Sequence, residues 1–485
     1  MVKLLQSLPL LEMTQLASQR NVRCANASWS LRAQLNNAAL EKKLIYARFL
    51  ITLKKEFLNW GLWAGRAVVL AYAALAGLTI VGFTKLAELA FACFLHFQSQ
   101  SFWLPLIWTP LCTVVIVYLT RKFAPGSAGS GIPQVIAALD PKCPAAQRNQ
   151  FASLRLSFFK VILTAGGLLA GLSLGREGPS VQIAAGIMRN ARRWLPSTAQ
   201  ISEASLIMAG GAAGIAAAFN TPLGGVMFCI EELSKSLEQR SNGLMIASIV
   251  LAGLMGISID GNYTYFGVIH VSDFNLPIIL PAILVILVSG ILGGLFSKII
   301  IASLRFNKGL LGYFRIKSPL LFAGACGLIV AAIGLLSNGD TFGTGYTHTQ
   351  AIIAGSESTS YLFVPFKMIA TWLSTWSGVP AGIFAPSLAI GGGIGNAIST
   401  ALSLPHAQIL IAIGMAGFLA AVTQAPLTSF IIVMEMIDGH GLVLSLMASA
   451  LIAGAISRMI SRPLYPTLAK IQLSRLPALN KNEPH

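Results

Sequence analysis

The chain has 485 residues, of which 55% are hydrophobic and only 11% charged. An ordinary soluble domain is about a quarter charged, so a water-soluble enzyme is excluded and a polytopic membrane protein is expected. The formal net charge of +17 does not call for nucleic acid, because basic flanks around apolar helices are what membrane topology itself requires.

Residues 1–58 read as an arm in which Arg20, Arg23, Arg32, Lys42, Lys43, Arg48, Lys54 and Lys55 are scattered through polar and amphipathic sequence. No continuous apolar stretch follows these cations, so no secretory signal is expected. Their charge places the arm in the cytoplasm. A membrane domain is expected over 59–468. Within it, 60–97, 102–120, 151–174, 244–259 and 276–304 are apolar enough to span a bilayer or nearly so, given that a crossing takes about 20 residues. The stretches 205–218, 222–230 and 387–402 are too short or broken to cross alone. They read as half-helices or re-entrant segments buried in protein. A short tail, 469–485, closes the chain, and Arg458, Arg462, Lys470, Arg475 and Lys481 place it in the cytoplasm as well.

The six cysteines form no Cys-x-x-Cys pair and the six histidines no HExxH pattern, so neither a metal site nor a cofactor is expected. Asp340 has no partner aspartate within the apolar segments, which argues against a membrane-embedded hydrolase.

An internal repeat runs through the chain. FKVILTAGGLLAGLSLGREGPSVQIAAG (159–186) lies over FKMIATWLSTWSGVPAGIFAPSLAIGGG (366–393) at an offset of 207, with ten identities and no gap. The identities include Lys160 with Lys367, Gly175 with Gly382, and Pro179 with Pro386. A second block, PLGGVMFCIEEL from Pro222, lies over PLTSFIIVMEMI from Pro426 at an offset of 204. GSG (129–131) and GTG (343–345) form a weaker third match. Two halves, about 60–260 and 275–460, each with interrupted helices, are the layout of many transporters, whose sites lie where the halves meet.

Three breaks share one form: GSGIP (Gly129, Gly131, Pro133), GREGP (Gly175, Gly178, Pro179) and GIFAP (Gly382, Pro386). Proline suits the first turn of a helix and glycine lets the entering chain bend tightly. Each break is thus a predicted helix N-terminus, with free N–H groups and about half a positive charge. Several aimed at one point would hold an anion without a full cation nearby, from which an ion can still escape. Ser130 suits an N-cap, a direct ligand, or both.

Two acids break the repeat, since Glu177 falls on Phe384 and Glu232 on Met436. Glu231 matches Glu435, which points to a shared structural task such as satisfying helix ends. Neighbours on an α-helix point about 100° apart, so Glu231 and Glu232 are expected to face different ways. Arg176 is expected to pair with a nearby carbonyl or carboxylate.

GSGIP, GREGP and GIFAP in this order, with a late tyrosine in RPLYP, resemble the ClC family of chloride channels and chloride/proton antiporters. The resemblance covers about 60–468 and implies an all-α polytopic membrane fold, an inverted repeat of tilted, broken and re-entrant helices. It further implies a homodimer in the lipid bilayer with one pathway for chloride ions and protons per subunit. By motif position, Ser130 and Tyr465 would supply hydroxyls to chloride, and Ile383 and Phe384 backbone N–H groups. Glu177 would be the external gate and Glu232 the internal proton-transfer acid. Channels of the family commonly lack that internal acid, so Glu232 favours the antiporter, with a proton-gated chloride channel as the alternative. Relatives for nitrate tend to carry proline where Ser130 lies, and fluoride carriers often methionine, so serine favours chloride. The short tail leaves no room for the nucleotide-binding pair of many eukaryotic relatives, which implies a prokaryotic-type protein of the inner cell membrane. Gln424 departs from the basic residue often found before the late AP.

Overall fold

The computed structural model describes residues 60–199, 201–234, 243–261, 264–269, 276–305, 309–355, 360–404 and 407–476. The expected arm over 1–58 lies outside the described residues. The chain forms two compact units, Met1–Ala64 with Pro196–Ala199, and Gly65–Leu195 with Gln200–His485. The second contains the site and is the one described below.

Helices dominate. The first half comprises α1 (Trp60–Gln100), α2 (Leu104–Phe123), α3 (Ile132–Leu139), α4 (Leu154–Leu169), α5 (Glu177–Asn190), α6 (Glu203–Phe219), α7 (Pro222–Phe228) and α8 (Gly243–Asp260). The second half begins with α9 (Ile279–Arg305), α10 (Gly309–Lys317), α11 (Pro319–Leu336), α12 (Tyr346–Ile353) and α13 (Phe363–Trp376). It ends with α14 (Phe384–Ala401), α15 (Ala407–Thr423), α16 (Pro426–Met436), α17 (Val443–Ile460) and α18 (Leu464–Leu473).

Six stretches among the described residues are long and apolar enough to cross a membrane: Trp60–Gln100, Leu104–Phe123, Ala145–Leu169, Ile279–Arg305, Pro319–Leu336 and His440–Ile460. The last two were not named from the sequence. The expected 151–174 span is shorter as an α-helix and ends at Leu169, because Gly171 turns the chain at φ +76° with the Phe94 ring packed where a Cβ would stand. The chain then runs extended into GREGP. Conversely, the helix expected at 387–402 starts three residues earlier, at Phe384.

The repeat is visible in how helices pack. α5 lies on α6, and α14 on α15, at backbone contact. A Cβ on Gly210 would lie 2.6 Å from the Ala184 carbonyl, and one on its repeat mate Gly414 would strike that of Gly391. Small residues give such helices their dispersion energy within a bilayer. α6 and α15 also end alike, on the left-handed residues Asn220 (φ 58°) and Gln424 (φ 62°), 204 positions apart. Gln424 ties the α15 end to the α17 end by donating to the Ser461 carbonyl at 3.0 Å.

Two buried lysines complete the correspondence. Lys160 donates to the carbonyls of Ser127 (2.7 Å) and Gly129 (2.6 Å). Lys367 donates to those of Thr341 and Gly343, both at 2.9 Å. The weak GSG and GTG match is therefore a structural one, since each loop is held by the lysine of its own half.

Candidate anion-binding site

The three glycine–proline breaks all begin helices, α3, α5 and α14, and their loops meet. Gly175 and Gly382 form an antiparallel bridge, the Gly175 N–H donating to the Gly382 carbonyl at 2.7 Å and the reverse bond measuring 3.1 Å. Gly129 joins them by donating to Val379 O and accepting from the Ala381 N–H, both at 3.2 Å. No side chain fits this junction: a Cβ on Gly382 would lie 2.5 Å from the Gly175 carbonyl and 3.0 Å from Pro179 Cδ. Gly131 turns at φ +110° against the Gly178 carbonyl, and a Cβ on Gly178 would lie 2.7 Å from the Ser130 carbonyl. Pro133, Pro179 and Pro386 sit in the first turns, where a missing N–H costs nothing.

Glu177 opens α5 and is fully buried. One carboxylate oxygen accepts the Ala385 N–H at 3.3 Å, and the other has no hydrogen-bond partner among the described residues. The side chain thus lies at the N-terminus of α14, the positive end of an 18-residue helix. Ile383 caps that helix and Phe384 is its first residue, so both expected amides are at this helix end. The amide that reaches the carboxylate belongs to Ala385, which no sequence signal singled out.

Rings and an ion pair surround this end of the site. Phe384 packs on Phe219 (ring centroids 5.5 Å), Phe219 on Tyr265 (5.6 Å) and Tyr265 on Tyr346 (4.8 Å). Arg176 donates to Glu88 at 2.7 Å, to the Thr84 carbonyl at 3.3 Å and to the Tyr265 hydroxyl at 3.1 Å. It is paired as expected, although Glu88 and Tyr265 lay beyond any motif.

On the other side lie Ser130 and Tyr465, both buried. The two hydroxyls interact electrostatically, and neither makes a hydrogen bond of normal geometry among the described residues. The N-cap reading of Ser130 is corrected. The cap of α3 is Gly131, whose N–H is satisfied by the Gln134 side chain at 2.9 Å, and Ser130 stands one residue outside. A buried hydroxyl without a partner costs free energy unless something else meets it. Tyr465 lies in the first turn of α18, which packs on α3, and is within electrostatic reach of both Glu232 and Glu177.

Glu232 sits on a π-helical turn, Cys229–Leu233, that continues α7. It borders a cavity of about 360 Å³ together with Glu231, Asp140, Gln424, Pro463 and Lys470. Glu231 and Glu232 were expected to face apart, and although both border this cavity, only Glu231 is tied to the start of α16. Their partners differ. Glu231 accepts the amides of Leu427 (3.2 Å) and Thr428 (2.7 Å) at the start of α16.

Broken helices from two inverted halves, with N-termini converging on partnerless hydroxyls and a buried carboxylate, define a multi-pass membrane protein of the inverted-repeat transporter class. The chain belongs to the voltage gated chloride channel family, whose sequence profile matches residues 112–458. It is similar to the H(+)/Cl(-) exchange transporter ClcA of Salmonella paratyphi A, with 29% identity over 400 residues covering 79% of this chain and 82% of that protein. Its fold is similar to that of a slow cyanobacterial Cl−/H+ antiporter (TM-score 0.72, 22% identity, 85% of this chain and 98% of that one). It also resembles a CLC-type fluoride/proton antiporter (TM-score 0.70, 24% identity, 84% of this chain and 98% of that one).

Proposed function

We propose that this protein is a secondary active antiporter that exchanges chloride for protons, with Glu177 as its gate and proton carrier. The observation that carries the reading is the Glu177 carboxylate at the α14 N-terminus, in contact with the Ala385 amide. Ionised, the carboxylate takes the place of an anion, held by the helix end. Protonated, it loses that attraction, swings out and leaves the place to chloride. Ser130 and Tyr465 hydroxyls, with the Ile383 and Phe384 amides, replace the water that chloride leaves behind. Glu232, at a cavity and within electrostatic reach of Tyr465, passes protons between the cytoplasm and Glu177. Family membership and the exchange activity named for the Salmonella relative support chloride and proton as the transported pair.

The working unit in this reading is a homodimer in the inner cell membrane with both termini in the cytoplasm. Its membrane domain covers 59–468, flanked by the 1–58 arm and the 469–485 tail. Glu177→Gln, which mimics the protonated form, and Glu177→Ala, which empties the place, test the gate. Both should conduct chloride in liposomes with no coupled proton movement. Normal pH-driven chloride uptake by either variant removes Glu177 from the role.

A further inference from the structure

A second anion-directed feature lies where the end of α2 meets α10 and the start of α11, and part of it backs onto Ala128 in the loop before α3. Two adjoining cavities open there, about 500 and 520 Å³, sharing Arg121 and Pro319. The first also holds Lys122 and Lys317, the second Arg315 and Arg475. Five cations thus line the pair, and no carboxylate lines either cavity among the described residues.

Their contacts are with rings and carbonyls. Lys122 lies over Tyr118 at 5.4 Å and Lys317 over Tyr313 at 5.3 Å. Arg315 donates to Ser303 O and Arg475 to Leu304 O, both at 3.2 Å. Burial, and then the neighbouring charges of Arg475 and Arg121, pull the Arg315 guanidinium below its usual range. Cations crowded at mutual cost, with no carboxylate among the described lining residues, fit an anion from outside. The start of α11 adds to the field: Ser318 gives no side-chain cap, and Leu320 and Leu321, residues of its first turn, line the first cavity.

The surroundings identify the kind of anion. Exposed Ile107, Leu111, Val115 and Tyr118 form one stripe along α2 that ends one turn before Lys122. Leu321 and Leu328 are likewise exposed on α11, which packs beside α2. Both helices are long and apolar enough to cross a membrane, and the cations stand at their ends, where a crossing helix would meet the headgroups. We propose that these paired cavities bind the phosphate of an anionic phospholipid, with its acyl chains along the exposed faces of α2 and α11.

Native mass spectrometry of the full-length protein, with phosphatidylglycerol and phosphatidylcholine as probes, tests the site. Wild type should retain phosphatidylglycerol saturably and in preference to phosphatidylcholine. The double variant Arg121→Gln with Lys317→Gln, both exposed lining residues, should retain at least tenfold less. Arg193→Gln, an exposed cation elsewhere, should match wild type. Loss of folding in the double variant is bypassed by titrating wild type in phosphatidylcholine nanodiscs, where added phosphatidylglycerol should raise thermal stability to a plateau. No plateau in wild type, unchanged retention in the double variant, or equal loss in Arg193→Gln overturns the proposal. So does millimolar inorganic phosphate that displaces the lipid completely, since the ligand is then a soluble anion.

Discussion

Glu231 and Glu435, repeat mates 204 positions apart, each cap the other half's helix. Glu231 accepts the Leu427 and Thr428 amides that open α16, and Glu435 accepts those of Leu223 (3.1 Å) and Gly224 (2.7 Å) that open α7. The exchange is reciprocal, as a pseudo-two-fold relation requires, and it stitches the halves together beside the proposed proton entry. Losing a side-chain cap costs about 1 kcal/mol, with a range of roughly 0.5–2. Glu231→Gln and Glu435→Gln should therefore each lower the thermal midpoint in detergent by a few degrees, while chloride and proton fluxes stay coupled. Uncoupled flux in Glu231→Gln would give Glu231 a share of the proton route.

Lys160 and Lys367 invite a comparison within one molecule. Replacing either by Met strands backbone carbonyls in a buried place, at about 1–3 kcal/mol. Both variants should lose thermal stability. Lys160 anchors the loop that carries Ser130, whereas Lys367 anchors the loop before α12, which bears no proposed ligand. Chloride affinity measured by calorimetry should thus fall in Lys160→Met and hold in Lys367→Met. Equal affinities would separate Ser130 from the site.

The hydroxyls of Ser130 and Tyr465 make no hydrogen bond of normal geometry among the described residues, so removing them should cost the fold little stability. Each hydrogen bond to a bound anion contributes about 1.5–3 kcal/mol. Ser130→Ala and Tyr465→Phe should keep the wild-type thermal midpoint in chloride-free buffer and weaken chloride binding about tenfold or more. Unchanged affinity in both assigns the hydroxyls no part in binding.

Gly178 tests the packing behind that site. A Cβ there would lie 2.7 Å from the Ser130 carbonyl and against its hydroxyl, so Gly178→Ala should push Ser130 out of place. Chloride affinity should drop at least as far as in Ser130→Ala, and the thermal midpoint should fall as well. Wild-type binding by Gly178→Ala would show that the α3 loop shifts freely.

Much of this was legible in the sequence because inverted repeats write the same physics twice. The repeat pointed to the glycine-rich breaks of both halves as the place to look, and Gly175 and Gly382 are hydrogen-bonded to each other. Glu231 was marked as structural solely because Glu435 matched it. What stayed hidden has no local signature. Ala385 supplies an amide, and any residue type carries one. Tyr265 and Glu88 reach Arg176 from 89 and 88 positions away. Ser130 looked like a cap because the residue type suits one, but Gln134 satisfies the Gly131 amide instead. The cavity that Glu231 and Glu232 both border is closed by Asp140, Gln424, Pro463 and Lys470, which come from distant parts of the chain.

Chloride-driven proton movement tests the central claim most directly. Wild-type protein in chloride-loaded liposomes, with voltage clamped by potassium and valinomycin, faces a chloride gradient and no proton gradient. Exchange ties the two free energies together, so outward chloride flow should drive protons inward and the external pH should rise. Glu232→Gln should pass chloride and leave external pH unchanged. Wild-type vesicles that release chloride while protons never move against their gradient would contradict the antiporter and leave a chloride channel in its place.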